Sequence, residues 1–197
     1  MTTLALIRHG RTEWNLAGRI QGHSDQPLCE AGRVEVAALQ VPPELDDFSW
    51  QTSPLGRARE TAALLGHPDA TVEPRLIEMD WGDWEGKSLA ALRGQLGSEM
   101  TSNEDRGRDF QPTGGESPRQ LQDRLGPWLV ETGFQNEPIV AVCHKGVIRA
   151  VMALAFDWNM LGKPPVRLDW NAAHLFSVAA DGDVSPHRLN LSLQPDR

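Results

Sequence analysis

Apolar and polar positions along the chain follow two different periods, and the switch between them recurs three times. Thr3 to Ile7 is a short apolar strand that ends at Arg8 and His9, and after a polar turn region Ala31 to Leu39 has helical spacing. Phe48 to Thr52 reads as a second strand, ending at Ser53. Pro54 then fits a first helical turn, with Leu55, Ala58, Ala62 and Leu65 forming an apolar stripe. In the third unit Pro138 precedes the strand Ile139 to Cys143, and a helix suited to burial runs through Val147, Ile148, Val151, Met152 and Ala155. Two further helices are predicted, one near Ser88 to Leu96 and one opening at Ser117 and Pro118, where Ser caps and Pro takes the first position. Toward the C-terminus, His174 to Ala179 and His187 to Leu193 read as strands joined across Asp181, Gly182 and Asp183, a hairpin turn.

Strands that alternate with helices predict an α/β fold of three layers, a mainly parallel central sheet with helices on both faces. No internal repeat or linker divides the chain, so residues 1–197 are expected to form one domain. The stretch Gly94 to Gly115 is polar, Gly-containing and mixed in charge; connections of this kind are lids over a site or mobile loops.

Composition removes several classes of function. The hydrophobic fraction of 40% and charged fraction of 23% are those of a soluble globular protein with a proper core. With 19 Lys and Arg scattered among 27 Asp and Glu, the formal net charge is −8, which argues against a nucleic-acid or acidic-membrane partner. Lysine occurs only as Lys87, Lys145 and Lys163, so arginine supplies most of the cations, as bidentate oxyanion binding would use them. Cys29 and Cys143 lie far apart and outside any metal spacing, so neither a disulfide framework nor a structural zinc is expected. The N-terminus has no basic region followed by a long apolar stretch, and no segment approaches the roughly 20 apolar residues that span a bilayer. The cytoplasm is the expected compartment.

The three strand-to-helix junctions carry the chemistry. The first ends in Arg8, His9 and Gly10, the second leads into Arg57 and Arg59, and the third ends in His144. In open α/β sheets ligands bind beyond the carboxyl ends of strands, so these groups would meet at one sheet edge. Two histidines and two arginines there, near helix N-termini whose free N–H groups favour anions, make a pocket for a dianionic phosphoryl group.

Those residues sit within longer blocks: RHG at Arg8 to Gly10, GHSDQPLCEAG from Gly22, SPLGRARETA from Ser53, EMDWGDWEG from Glu78, GGES from Gly114 and CHKGVIRA from Cys143. In their order and over nearly the whole chain, these blocks resemble the histidine phosphatase superfamily, the cofactor-dependent phosphoglycerate mutase-like group. The resemblance implies that His9 is the nucleophile that becomes phosphohistidine. It implies that Arg8, Arg57 and His144 hold the phosphoryl oxygens and that Glu78 is the general acid. Asn15 and Gln21 fall where the family often places additional phosphate contacts; Glu116 is a further substrate-site candidate that could instead stabilise a helix start or orient a catalytic partner. Lys145 departs from the pattern, since many members have Gly after the second histidine, and it adds a cation without an assigned role.

Phosphoryl transfer depends mainly on alignment and on neutralising the equatorial oxygens, so arginine forks and a protonated second histidine can do what metal ions do elsewhere. Neither a metal nor an organic cofactor is expected. The attacking nitrogen of His9 must be unprotonated, which a hydrogen bond from its other nitrogen to a backbone carbonyl would arrange, while phosphate should keep His144 charged. Glu78 suits a carboxyl that protonates the departing alkoxide and then deprotonates water, provided that the dianion and nearby acidic groups raise its pKa. Asp80, Asp83 and Glu85 are alternatives to it, two or three of them expected to be exposed loop charges. Trp14, Trp81 and Trp84 either wall the substrate side or pack in the core, the core being favoured for at least two of them. Cys143 is expected to be a small buried hydrophobe.

The leading function is hydrolysis of a small phosphorylated metabolite through phosphohistidine. A mutase is second; the family's mutases resemble a longer chain with a basic insertion after the acid-bearing block, whereas Gly94 to Gly115 is short and sets Arg106 and Arg108 among Glu99, Glu104, Asp105 and Asp109. A non-catalytic phosphate- or protein-binding module comes last, because all matched catalytic positions are intact.

Overall fold

Both faces of the first strand, β1 (Thr2–Arg8), are buried, and its residues divide between two cores. Leu4 and Leu6 face one cluster of buried side chains, Ala5 and Ile7 the other. The computed structural model describes residues 1–194, in which a mixed sheet of six strands is flanked by seven helices in three layers.

Helices α1 (Glu13–Leu16) and α2 (Glu30–Ala37) follow β1, and β2 (Ser49–Thr52) leads into α3 (Gly56–Leu64). A two-residue strand β3 (Thr71–Val72) precedes α4 (Leu89–Leu96), α5 (Ser98–Glu104) and the long α6 (Pro118–Gln135). The chain closes with β4 (Ile139–Cys143), α7 (Lys145–Ala155) and the strands β5 (Ala172–Val178) and β6 (Val184–Ser192). The sheet order is β3-β2-β4-β1-β5-β6. The first four of these run parallel, while β5 lies antiparallel to β1 and β6 antiparallel to β5.

Period-2 alternation puts Ile139, Ala141 and Cys143 of β4 on the same side as Leu4 and Leu6, under Leu121, Leu125 and Leu129 of α6 and Val147, Ile148 and Val151 of α7. Val140 and Val142 face the opposite way with Ala58 and Ala62 of α3 and Val36 of α2. Each fully buried Val, Ile or Leu contributes about 1.5–3 kcal/mol, so the central strands β4 and β1 are the best anchored part of the sheet. They carry the first and third strand-to-helix junctions, where Arg8, His9 and His144 stand.

Local sequence fixes the element ends. Ser117 caps α6 by accepting from the Gln120 N–H while Gln120 accepts from the Ser117 N–H, with Pro118 at the first helical position; the helix ends at Asn136, whose φ of 54° is left-handed. Pro54 is displaced from its expected place: it precedes α3, for which Leu55 is the cap and Gly56 the first residue. The C-terminal hairpin turns at Asp181–Asp183 as expected, closed by the Ala179 N–H donating to the Asp183 carbonyl, while its strands begin two and three residues earlier than predicted.

The polar stretch 94–115 is largely helical, holding the end of α4, all of α5 and a 3-10 turn at Gly107–Asp109. Met100 buries itself with Trp84 and Leu92, and Phe110 packs edge-on to Trp81 and Trp84. Ion pairs from Arg93 to Glu104 and from Arg119 to Asp109 tie its ends to α4 and α6. Among the described residues no helix is long and apolar enough to cross a membrane.

Candidate active site

The carboxyl ends of β2, β4 and β1 are adjacent and in register, with Arg8 opposite Cys143 and Thr52 opposite Val142. The ladder continues past β1, since the His9 N–H donates to the Cys143 carbonyl at 2.9 Å. That bond sets His9 beside His144, and the two rings lie 5.1 Å apart, centroid to centroid.

His9 is 6% exposed, and its Nδ1 lies 2.7 Å from the carbonyl oxygen of Gly10. A carbonyl can only accept, so Nδ1 carries the ring proton and Nε2 presents its lone pair. Burial, then the positive charges of Arg8 and Arg57, push the pKa of His9 well below that of an ordinary histidine. The imidazole is therefore neutral at physiological pH, the state a nucleophile needs.

His144 is wholly buried, with Nε2 2.7 Å from the Ser53 hydroxyl and Nδ1 without a hydrogen-bond partner among the described residues. Burial and the neighbouring cations hold its pKa down as well, so in the unliganded site this ring is neutral and not charged. A phosphoryl dianion would oppose that shift. Sequence reasoning missed Ser53, which stands one residue beyond β2 and meets His144 only because β2 and β4 are neighbours.

The two arginines are held in contrasting ways. Arg57 is fully buried on α3: Nη2 donates to the Gly22 carbonyl at 2.7 Å and Nη1 to the Ser24 carbonyl at 3.1 Å, with Asp25 at 3.4 Å. Gln21, with its amide oriented to satisfy both neighbours, donates to Thr12 Oγ1 at 2.7 Å and accepts from Arg57 Nε and Nη1 at 3.2 Å. Arg8 has no hydrogen-bond partner among the described residues, and its Nε is buried; its guanidinium rests over the Trp170 ring, 5.5 Å from the centroid. Arg59, on the other face of α3, is exposed and does not join the site.

Glu78 is 5% exposed in the irregular segment after the 3-10 turn Pro74–Leu76. Its Oε1 accepts from the Met79 N–H at 2.8 Å and Oε2 from the Gly146 N–H at 3.1 Å. Burial raises its pKa against those two bonds and the charges of Arg57 and Arg8, so desolvation, and not neighbouring acids, favours the protonated carboxyl. Gly146 leaves room for this contact, for a β-carbon there would overlap Glu78 Oε1 and displace the carboxyl. Asp80 and Glu85 are occupied elsewhere. Asp80 accepts from the Gly82 N–H, and Glu85 accepts from the His23 and Ser24 N–H groups.

Glu116 does not face the histidines with a free carboxylate. It pairs with Arg124, 2.8 Å to Oε2 and 3.0 Å to Oε1, and Arg124 donates onward to the carbonyls of Arg75, Ile77 and Glu78. Asn15 uses Oδ1 to accept from the Thr12 N–H at 3.1 Å, closing the capping box of α1. Trp84 is core and Trp81 packs beside it, as favoured for two of the three, while Trp14 is half-buried beneath Gly86. Cys143 is fully buried, and burial pushes its thiol up, away from a thiolate. Among the described residues no group of three or more His, Cys, Asp or Glu side chains is arranged to hold a metal ion.

The model of the histidine phosphatase superfamily (branch 1) matches residues 4–185, and the chain belongs to that family. The chain is 33% identical over 179 residues to the glucosyl-3-phosphoglycerate phosphatase of Mycobacterium tuberculosis, covering 81% of this chain and 79% of the relative. The mycobacterial glucosyl-3-phosphoglycerate phosphatase solved with VO3 superposes with a TM-score of 0.78 at 26% identity, over 98% of this chain and 100% of that one. A metal-independent phosphoserine phosphatase of Arabidopsis thaliana is 32% identical over 83% of this chain and 72% of its own length. A 2,3-bisphosphoglycerate-dependent phosphoglycerate mutase of Rhizobium johnstonii is 28% identical, with 93% of each chain covered. The chain is a phosphoric monoester hydrolase of the histidine phosphatase type.

Proposed function

We propose that the protein hydrolyses a small phosphorylated metabolite in two steps through phosphohistidine at His9. The observation that carries this reading is the bond from His9 Nδ1 to the Gly10 carbonyl, which leaves Nε2 unprotonated inside a cationic pocket. In the first step Nε2 bonds to phosphorus while the ester P–O bond breaks, and the departing alkoxide takes the proton of the Glu78 carboxyl. In the second step water attacks the phosphohistidine, Glu78 accepts its proton, and inorganic phosphate leaves with His9 restored to its neutral form. Arg8 and Arg57 neutralise the equatorial oxygens, and the His144 ring, protonated as the dianion binds, donates to one of them from Nδ1, a contribution of several kcal/mol in a water-poor site.

Gln21 and Asn15 act through position: Gln21 braces Arg57, and Asn15 fixes the turn that follows His9. Glu116, through Arg124, holds the backbone on which Glu78 sits. Residues 94–115 are fastened to the segment after Glu78 by Phe110, which packs on Trp81 and Trp84. A reducing cytoplasmic compartment suits the two free cysteines.

The test is turnover of p-nitrophenyl phosphate and a phosphomonoester panel in the presence of a chelator, together with incubation with 2,3-bisphosphoglycerate. Released inorganic phosphate, lost in His9→Ala, supports hydrolysis. Interconversion of phosphoglycerates without phosphate release would instead make the protein a mutase.

A further inference from the structure

Lys145, next to His144, is a cation that the mechanism above does not use, and its position is electrostatically unfavourable in three ways. It is the first residue of α7, where the helix dipole disfavours positive charge. Arg149 follows it by one turn on the same helix face, a like-charge pair. Arg8 shares its aromatic platform: Lys145 Nζ and the Arg8 guanidinium lie 5.4 and 5.5 Å from the centroid of the Trp170 ring. None of these three cations has a carboxylate partner within ion-pair distance among the described residues, although the chain carries a net charge of −8.

An uncompensated cluster of this kind is stabilised when an anion arrives. The phosphoryl group already has the Arg8 fork, Arg57 and His144 Nδ1 for its three non-bridging oxygens. Lys145 remains for a second negative group on the same molecule, and Trp170, half-buried in the segment leading to β5, holds it beside Arg8.

We propose that Lys145, held on Trp170 beside Arg8 and reinforced by Arg149, forms a second anion subsite that selects phosphomonoesters carrying another anionic group. This rests on the phosphatase reading and deepens it, since it separates phosphorylated hydroxy acids and bisphosphates from neutral sugar or polyol phosphates. The ligand chemistry is an oxyanion, either carboxylate or phosphate.

Two matched pairs of ligands read the subsite: 3-phosphoglycerate against glycerol 3-phosphate, and fructose 1,6-bisphosphate against fructose 6-phosphate. Their affinities are measured by calorimetry on His9→Ala protein, which does not consume them, with Lys145 intact or changed to Gln or Arg. In at least one pair the dianionic-plus-anionic ligand should bind about tenfold more tightly than its partner, the strength of one charge-assisted hydrogen bond. Lys145→Gln should abolish that ratio and Lys145→Arg should retain it; which pair responds identifies carboxylate or phosphate. A ratio that Lys145→Gln leaves unchanged overturns the subsite. So does an equal weakening of both members of each pair, which would make Lys145 a holder of the phosphoryl group itself. If the His9-intact enzyme turns over no phosphomonoester, the phosphatase reading fails, and the binding ratios still decide the subsite.

Discussion

The Nδ1 atom of His9 lies 2.7 Å from the carbonyl oxygen of Gly10, and this one contact decides which ring nitrogen keeps its lone pair, Nε2, the atom that the proposed mechanism uses on phosphorus. Because the carbonyl belongs to the next residue, the tautomer is set as soon as the chain turns out of β1. A ring buried among Arg8, Arg57 and His144 is also hard to protonate. Loss of activity through protonation of His9 should therefore occur well below the pH at which an ordinary histidine titrates. A pH profile of kcat/KM on p-nitrophenyl phosphate, corrected for ionisation of the substrate, reads it; an acid limb at the ordinary histidine pKa would contradict the assignment.

Glu78 supplies the second titration. Burial raises its pKa, so the protonated acid persists above the usual carboxylate range. An alkyl phosphate needs that proton and a nitrophenyl ester hardly does. Glu78→Gln should cost the alkyl ester roughly 10²–10⁴-fold in kcat and the activated ester far less. Equal losses on both substrates would remove Glu78 from the role of general acid.

Gly146 tests the same carboxyl by geometry alone. A methyl group at this position would overlap Glu78 Oε1, so Gly146→Ala must move the acid or the start of α7. A displacement of about 1 Å at a catalytic group costs on the order of 10²-fold. The expected result is a drop of that size in kcat on alkyl phosphates, with a cooperative unfolding transition retained. Wild-type kcat would show that the acid needs no such seat.

Arg124 links Glu116 to the backbone under Glu78 through bonds to the Ile77 and Glu78 carbonyls. Arg124→Met should destabilise the fold by roughly 2 kcal/mol, the scale of lost hydrogen bonds to a charged group. It should also lower kcat on alkyl phosphates more than it changes KM. Urea titration and steady-state kinetics measure the two effects; a purely structural residue would move only the first.

Buried histidines make stability depend on pH. His9 and His144 have folded pKa values pushed well below 6.5, His174 is pushed down to about 4, and His67, stacked on Trp50 at 3.6 Å, is lowered too. The unfolded chain binds protons near pH 6.5 where the folded chain does not. The stability these groups lend is therefore present above that pH and is lost as pH falls toward the folded values. Each such histidine contributes a slope of up to about 1.4 kcal/mol per pH unit. Unfolding free energy measured from pH 7 to pH 5 should decline; a flat or rising curve in that window would count against the buried neutral rings.

The junctions of β1 and β4 were legible in the sequence because each strand is a run of largely buried residues, and that of β2, which alternates, because the helix after it carries an apolar stripe; the candidate catalytic groups stand at those changes of period. β3 left no such trace: Thr71 and Val72 are both exposed and form a two-residue edge. The helix α5 hides in polar sequence because only Met100 of its seven residues is buried. In the site, residues adjacent to the motif blocks could be read, whereas partners supplied across the fold could not. Ser53 opens one of those blocks, yet its pairing with His144, like Arg124 on Glu116 and Trp170 under Arg8, is a product of strand order and loop path, with no spacing in the sequence to announce it.

The central claim is a covalent phosphohistidine at His9. Rapid alkaline quenching of the enzyme during turnover of a phosphomonoester, followed by mass spectrometry of its peptides, tests it most directly. The account predicts an acid-labile phosphoryl group on His9, absent from His9→Ala, which should be inactive. Phosphate on another residue, or His9→Ala turning over substrate at the wild-type rate, would contradict it.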